Sequence, residues 1–437
     1  MPATGIHCML IGALLVSYLL AVLLFFLMCR PIGLFTYQTF TFAPGILVIW
    51  PLSLLGFVIS SSGTSLGYTD FRLNPNTYAF LILFNLIQML ASMWAMTLGY
   101  RWRLSRPIGS YIYIDTRSRG FNLTMAFFFL LTLTIFVYLH ARFHFAYISN
   151  PRGLYEVTRQ GFGHFYFIMA TSMKLCFVML LFSKFKSPIL PLLLFLMALG
   201  TGSKTHAFVL FLILITYKIV FSYKNRIPTR FVLGLSLVAF LLITFLFSMT
   251  FHVGEGFSLK DLSLLSTSFM NEGTNNTVLL MDTYKTAFQG FQGGSIFLEN
   301  NVFTRLPRIL FPGKPVIFGS FRLADMYFYE HTSLGVGAKT FGTTGDFYAD
   351  FGYGAFAIVL IMGLVFYGLA GIVLAKIIKM EKPEHCLMHF AILIVLCNVY
   401  FIQVPPGNNL PENLLLVLII GICSGLRKVT LTPTTAT

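Results

Sequence analysis

Charged residues are scarce in this chain. Its 437 residues include 30 Lys and Arg and only 15 Asp and Glu, which together make up 10% of the sequence. About a quarter of the residues of an ordinary soluble domain are charged. Hydrophobic residues account for 57% of the chain, and its mean hydropathy is +0.80. This composition excludes an ordinary soluble enzyme and indicates a polytopic membrane protein.

Paired cysteines and a nucleotide-binding loop are also missing. The six cysteines stand singly, with no CxxC pair, which argues against a disulfide framework, a zinc ribbon or an iron–sulfur site. The chain has no GxxxxGK[ST] loop. Its N-terminal apolar run is not preceded by Lys or Arg, and it lacks the small residues of a cleavage site, so we expect the first helix to be retained.

Long apolar runs fill most of the sequence. A membrane span needs about 20 apolar residues, and that criterion finds runs near residues 6–29, 40–60, 77–99, 121–141, 164–183, 188–202, 204–222, 231–251, 353–375, 387–404 and 412–426. The sequence therefore predicts an all-α polytopic membrane protein with about 11 transmembrane helices. Residues 1–437 are expected to form a single transmembrane domain, with residues 252–352 as one large late loop inserted in it. The run at 188–202 is short, so a re-entrant or tilted segment is an alternative there.

The distribution of Lys and Arg predicts the orientation. Cytoplasmic loops carry an excess of these residues. With the N-terminus outside, the inner segments hold 17 of the 30 cations and only three of the 15 acids. The C-terminus is then inside and the insertion faces outside. Because the cations are spread over several short segments, they do not form the single basic face that a nucleic-acid-binding protein needs.

Cations in the outward segments are candidates for binding an anion, since Arg and Lys form charge-assisted hydrogen bonds with phosphate. The candidates are Arg142, Arg152, Arg159, Lys204, Arg305, Arg308, Lys314 and Arg322. Lys174 joins them because a lysine inside a span usually faces a cavity or a partner. Three alternatives remain open: Arg305 and Arg308 pair with nearby acids such as Glu299 and Asp325, Lys174 extends to a membrane surface, and Lys204 is an interfacial anchor.

Three side chains are candidate proton acceptors. His331 accompanies Arg322, Asp325 and Glu330, and such a cluster could supply a base. Asp346 and Asp350 are four residues apart, so on a helix they share one face. The alternative for Asp350, and less so for Asp346, is helix capping by an acid in the first turn.

Two further features of the sequence bear on structure and ligands. The apolar spacing between Asn276 and Phe291 predicts a helix that could lie along the membrane surface, and the rest of the insertion is typical of loops.

His140 and His144 have the spacing of a metal-binding pair, as do His385 and His389, but a third ligand is missing in each case. No metal is therefore predicted.

Four motifs, in this order, resemble the bacterial O-antigen polymerase family. They are the segments Val157–Gly163, Leu199–Lys204, Arg305–Gly319 and Gly345–Gly352. Members of that family show Arg-x10-Gly patterns in two periplasmic loops, and this chain has that spacing at Arg142 to Gly153, Arg152 to Gly163 and Arg308 to Gly319. Lys204 is a departure, because many relatives carry Arg there and Lys cannot make a bidentate contact with phosphate.

The resemblance implies an inverting glycosyltransferase of the inner membrane that polymerises polyprenyl-diphosphate-linked oligosaccharide repeat units at the periplasmic face. It implies no cofactor, metal or nucleotide, because the bond energy is already present in the lipid-linked donor. The expected partners are this lipid-linked oligosaccharide and membrane lipid, and a chain-length regulator protein is a further candidate. The alternatives are a flippase or transporter of the same lipid-linked oligosaccharide, and an O-antigen ligase.

Overall fold

The computed structural model describes only part of the chain. The described residues are 2–61, 74–107, 111–146, 153–154, 158, 163–184, 187–202, 204–232, 234, 273–283, 291–303, 311–313, 315, 317, 319–329, 341–380, 382–398, 418–419, 421 and 426–429. The predicted spans near 231–251 and 412–426 lie almost entirely outside these residues.

Apolar helices make up most of the described chain. They are α1 (Pro2–Cys29), α2 (Tyr37–Pro44), α3 (Trp50–Ser61), α4 (Pro75–Leu104), α5 (Arg119–Arg142), α6 (Gly163–Phe182), α7 (Ile189–Gly200), α8 (Lys204–Tyr217), α9 (Ser295–Val302), α10 (Ser320–Tyr327), α11 (Gly342–Phe351), α12 (Gly354–Lys379) and α13 (Leu387–Asn398). Single π-helical turns at Gly45–Ile49 and Lys218–Ser222 follow α2 and α8. Helices form in these runs because lipid offers no hydrogen-bond partner to the backbone.

Six helices within the described residues are long and apolar enough to cross a membrane. They are Cys8–Cys29, Tyr37–Val58, Pro75–Leu104, Arg119–Arg142, Gly163–Phe182 and Gly354–Lys379, and shorter apolar helices lie at Ile189–Gly200, His206–Ser222 and Leu387–Cys397. The molecule is therefore consistent with an all-α polytopic membrane protein. The total of about 11 spans stays a prediction, as does the division into one domain with an insertion.

Helices α4 and α12 pack extensively against each other and run in the same direction. The rings of Phe84 and Phe356 lie 4.8 Å apart near the starts of the two helices. Further along, Gly371 touches the backbone of Met96 and Tyr100, and a Cβ on Gly371 would lie 2.8 Å from the Tyr100 nitrogen. Small residues allow helix backbones to approach in this way in membrane proteins.

A short antiparallel sheet, which the sequence did not predict, joins one end of the bundle. Strand β1 (Tyr111–Ile114) pairs with β2 (Leu426–Val429). At the same end Arg117 forms a salt bridge with Glu384 at 2.9 Å. All these segments were predicted to lie on the inner side, and the structure brings them together at one end. Four-residue strands are too short to give a periodic signal, so the sequence did not reveal them.

The opposite end of the bundle holds the described parts of the insertion. Asp282 accepts a hydrogen bond from the Asn74 backbone N–H at 2.9 Å and from the Thr77 hydroxyl at 2.8 Å, which ties the helical segment 273–283 to the start of α4. Residues 275–281 are all buried within the protein. For the described part of this helix, residues 276–283, the expectation that it lies along the membrane surface is wrong, because its apolar face packs against protein instead of lipid. Residues 284–290 lie outside the described residues.

Candidate active site

Helix α11 carries two of the predicted proton acceptors in a buried position. Every residue from Gly342 to Asp350 is buried. Gly345 allows the helix to pack tightly, because a Cβ there would lie 2.5 Å from the Thr277 hydroxyl oxygen. Asp346 and Asp350 are one turn apart, and their hydrogen bonds point to two short neighbouring helices, α10 and α9.

Asp350 caps helix α9. Its two carboxylate oxygens accept hydrogen bonds from the backbone N–H groups of Ile296 at 3.0 Å and Phe297 at 2.9 Å. A carboxylate at a helix N-terminus also interacts favourably with the helix dipole. Burial raises the pKa of Asp350, although these N–H donors and the nearby Arg322 charge oppose that rise. Capping was the sequence-based alternative for this residue, but the helix it caps is a distant one in sequence.

Asp346 has a different environment. It is 5% exposed, and one carboxylate oxygen, Oδ2, accepts a hydrogen bond from the Ser320 hydroxyl at 2.7 Å. The other oxygen, Oδ1, is buried and has no hydrogen-bond partner among the described residues. Burial raises the pKa of Asp346 to about 7, the Ser320 hydrogen bond opposes the rise, and the charge of Asp350 adds to it. The carboxyl group is thus able to take up or release a proton near neutral pH.

Ser320 is itself held by Asn300 of helix α9. The Asn300 side chain donates a hydrogen bond to the Ser320 hydroxyl at 2.7 Å and accepts one from the Ser320 backbone N–H at 3.0 Å. Gly319 precedes Ser320 with φ +58, and a Cβ there would overlap the Asn300 side chain. This glycine ends the Arg308 to Gly319 spacing, so its structural task is to let the chain turn against Asn300.

Arg322 is the predicted phosphate ligand that the structure describes in most detail. It forms a salt bridge with Glu299 at 3.2 Å and donates hydrogen bonds to Gln292 at 3.1 Å and Ser295 at 3.0 Å. Glu299 also accepts the Gly319 backbone N–H at 2.7 Å. These contacts tie α9 to α10. Arg322 therefore has a structural role, and a contact with substrate stays a prediction.

The other predicted site residues are only partly described. Arg142 is exposed at the end of α5, and Lys174 is buried in α6. Lys204 begins α8, but its side chain is outside the described residues. Five predicted cations and one predicted base lie wholly outside them: Arg152, Arg159, Arg305, Arg308, Lys314 and His331.

Sequence reasoning missed Ser320 and Asn300 and considered Glu299 only as a partner of an arginine. The available signal was Gly319, because a glycine at the end of a repeated spacing indicates a backbone position that other residues cannot adopt. The described residues contain no group of three or more His, Cys, Asp and Glu side chains that could hold a metal ion.

The arrangement built by α9, α10 and α11 holds one buried carboxylate, that of Asp346, with one oxygen that has no hydrogen-bond partner among the described residues. The chemistry that this arrangement supports is proton transfer.

Comparison with known proteins adds the family context. No family model matches the chain, and no solved structure matches it. Two curated relatives do: proteins named O-antigen polymerase from Salmonella typhimurium and from Salmonella typhi, each 27% identical over 336 residues, which covers 76% of this chain and 77% of the relative. The resemblance of this chain to the O-antigen polymerase family, first indicated by its motifs, is confirmed.

Proposed function

We propose that this protein is a glycosyltransferase that polymerises polyprenyl-diphosphate-linked oligosaccharide repeat units of O-antigen or a related surface polysaccharide. Its similarity to two O-antigen polymerases over three-quarters of its length supports a role in O-antigen polymerisation. The apolar helices support a membrane-embedded enzyme, which acts on a substrate that is itself anchored in the membrane. We propose the bacterial inner membrane as its location.

The observation that carries the mechanism is the state of Asp346. A general base works best when its pKa is close to the working pH. Burial brings the pKa of Asp346 to about 7, and one carboxylate oxygen has no partner among the described residues. Asp350 is the weaker candidate, because backbone N–H groups occupy both of its oxygens. We therefore assign the role of base to Asp346, while His331 stays an untested candidate.

The reaction is a displacement at the anomeric carbon of the donor sugar. A hydroxyl oxygen of the acceptor repeat unit attacks that carbon, and its proton passes to Asp346. The bond between the anomeric carbon and the diphosphate oxygen breaks, and the electron pair leaves with the diphosphate. Attack from the side opposite the leaving group inverts the configuration. No nucleotide or metal is needed in this scheme, because the donor is already activated by its diphosphate.

Cations are needed where the leaving diphosphate gathers negative charge, since aimed charges and donors stabilise that charge in the transition state. We propose Arg152, Arg159, Arg305, Arg308 and Lys314 for this task, on the periplasmic face, with the N-terminus outside and the C-terminus inside. Replacing Arg159, Arg305 or Arg308 by Ala is expected to leave folded protein in the membrane while cells accumulate a core that bears a single repeat unit. Unchanged polymer ladders in all three variants would remove these residues from the scheme.

The base is tested by Asp346→Asn in cells that depend on this protein for polymer. This variant keeps an acceptor for the Ser320 hydroxyl but cannot take a proton, so we expect a single repeat unit in place of the ladder. Asp282→Asn is the matched control, because Asp282 is an exposed carboxylate of the same insertion. Since Asp282 accepts hydrogen bonds from Asn74 and Thr77, both variants are compared as folded protein in equal amounts. Normal ladders from Asp346→Asn would refute the assignment. If the protein were a flippase, an inactive variant would leave the core without any repeat unit. If it were a ligase, an inactive variant would leave the polymer on its lipid carrier.

A further inference from the structure

Helix α4 presents one apolar face to its surroundings. Four large apolar side chains along it, those of Phe80, Ile87, Trp94 and Leu98, are 43–57% exposed. They follow one another at intervals of seven, seven and four residues, so they lie on one side of the helix. Lipid chains are as apolar as these side chains, so in a membrane protein such a face lies against lipid.

The last turn of α4 extends toward the level of the lipid headgroups. The helix has 30 residues, which span about 45 Å at about 1.5 Å per residue, whereas the hydrocarbon core is about 30 Å thick. The apolar face ends at Trp102, which is 48% exposed, and tryptophan is enriched at this level of a membrane. The guanidinium carbon of Arg106 lies 4.0 Å from the centre of the Trp102 ring. This cation–π contact holds a positive charge at the end of the apolar face.

Two further cations are fixed beside Arg106. The Lys379 ammonium group, at the end of α12, donates a hydrogen bond to the Arg106 carbonyl at 2.7 Å. The Arg103 guanidinium group donates one to the Pro107 carbonyl at 3.1 Å. Because these two carbonyls belong to consecutive residues, three positive charges gather at the end of α4.

The described acids at this end of the bundle contact a different arginine, Arg117. Glu384 forms a salt bridge with Arg117 at 2.9 Å, and Asp115 accepts the Arg117 backbone N–H at 3.0 Å. The carbonyls that hold Lys379 and Arg103 carry no net charge, although the C-terminal end of a helix does favour nearby cations. Lysine and arginine have three and five N–H donors, so one carbonyl contact leaves most of them for another acceptor. The cluster of Arg103, Arg106 and Lys379 is therefore suited to an anion.

We infer that Arg103, Arg106 and Lys379 bind the phosphate of an anionic phospholipid whose acyl chains lie along the apolar face of α4. Arginine and lysine form charge-assisted hydrogen bonds with phosphate oxygens. An anionic headgroup compensates the charge of the cluster, whereas the ammonium group of a zwitterionic lipid is repelled by it. Since Arg103 and Arg106 lie at the end of α4 and Lys379 at the end of α12, the bound phosphate joins these two helices. The lipid is not a reactant, so this site does not depend on the proposed reaction.

The test measures lipid binding by the purified full-length protein in detergent, using native mass spectrometry. The probes are phosphatidylglycerol, phosphatidylethanolamine and glycerol phosphate, which are an anionic lipid, a zwitterionic lipid and a headgroup without chains. The wild type is expected to bind phosphatidylglycerol at least about tenfold more tightly than either of the others. The double variant Arg106→Gln, Lys379→Gln should weaken that binding at least about tenfold, because charge-assisted hydrogen bonds are lost. Trp102→Leu should weaken it by about two- to fivefold through loss of the cation–π contact.

Arg30→Gln is the matched control. Arg30 is an exposed arginine directly after α1, and it is predicted to lie on the same side of the membrane as the cluster. Its replacement also removes a positive charge, but phosphatidylglycerol binding should stay at the wild-type level. Arg106→Lys keeps the charge and should retain most of the binding. All variants are compared as monodisperse protein, so that misfolding is not mistaken for loss of a site.

Three results would overturn parts or all of this inference. Equal phosphatidylglycerol binding by the wild type and the double variant overturns the site. Wild-type binding of phosphatidylethanolamine as tight as that of phosphatidylglycerol overturns its preference for an anion, and equally tight binding of glycerol phosphate overturns the lipid assignment. A wild-type dimer that binds no phosphatidylglycerol also overturns the site, because a second copy of the chain would then cover this face.

Discussion

Replacing Ser320 by Ala should move the pH dependence of chain extension to higher pH. The Ser320 hydroxyl donates to Asp346 at 2.7 Å and favours the ionised carboxylate. A hydrogen bond to a charged group contributes about 1.5–3 kcal/mol, and 1.36 kcal/mol corresponds to about one pH unit. The pKa of Asp346, about 7 in the native protein, should therefore rise by about one to two pH units.

The sign follows from the role of the group. A general base acts in its deprotonated form, so the wild-type rate should rise with pH through about 7. In Ser320→Ala the rising limb should lie at about pH 8–9, which lowers the rate at pH 7 by a factor of about five to fifty and restores most of it above pH 9. A variant that had only lost structure would be impaired equally at all pH values.

The assay is the initial rate of chain extension by purified protein from pH 5.5 to 9.5, with lipid-linked repeat units as substrate. Ser53→Ala is the control, because Ser53 is also buried and its hydroxyl donates to the Ile49 carbonyl within its own helix turn. It should have the wild-type profile. An unshifted limb in Ser320→Ala, with full activity at pH 7, would refute the link between Ser320 and the base.

Three further predictions concern stability, each measured as the thermal melting temperature of the detergent-solubilised protein. The folded-state pKa of Asp346, about 7, is above its ordinary value of 3.8, so its contribution to stability is present below pH 3.8 and is lost as the pH rises through 7. Asp346→Asn should therefore raise the melting temperature at pH 8 and change it little at pH 4. An equal shift at both pH values would contradict the burial of an ionisable group at this position. Asp350→Ala removes the cap of α9 and should cost about 1–2 kcal/mol, so an unchanged melting temperature would show that this cap contributes nothing. Gly371→Ala should destabilise the α4–α12 pair by about 1–3 kcal/mol through overpacking. Gly12→Ala is the control and should not destabilise the protein, because an added Cβ there meets nothing within 4 Å. Equal melting temperatures for the two variants would argue against the close contact at Gly371.

Much of the fold could be predicted because lipid imposes one strong rule. A long apolar run that crosses lipid is expected to form a helix, and α4, α5, α6 and α12 lie where the runs predicted them. The pairing of these helices could not be predicted, because a run of apolar residues does not show which face meets which neighbour. Gly371 illustrates the point: in the sequence it is one small residue among many, and only the contact with Tyr100 explains it.

The candidate site was predictable only where its residues are local. The spacing of Asp346 and Asp350 placed them on one helix, and that helix exists. The groups that give the two acids different properties come from elsewhere in the chain: Ser320 is 26 residues away from Asp346, and Ile296 is 54 residues away from Asp350.

The most direct test is chain extension by the purified protein with lipid-linked repeat units as its sole substrate, without nucleotide or added metal. The wild type and Asp282→Asn should convert single repeat units into a ladder of longer glycans on a gel at pH 8, while Asp346→Asn should leave them unchanged. A ladder from Asp346→Asn equal to that of the wild type, or no ladder from the wild type itself, would contradict the account.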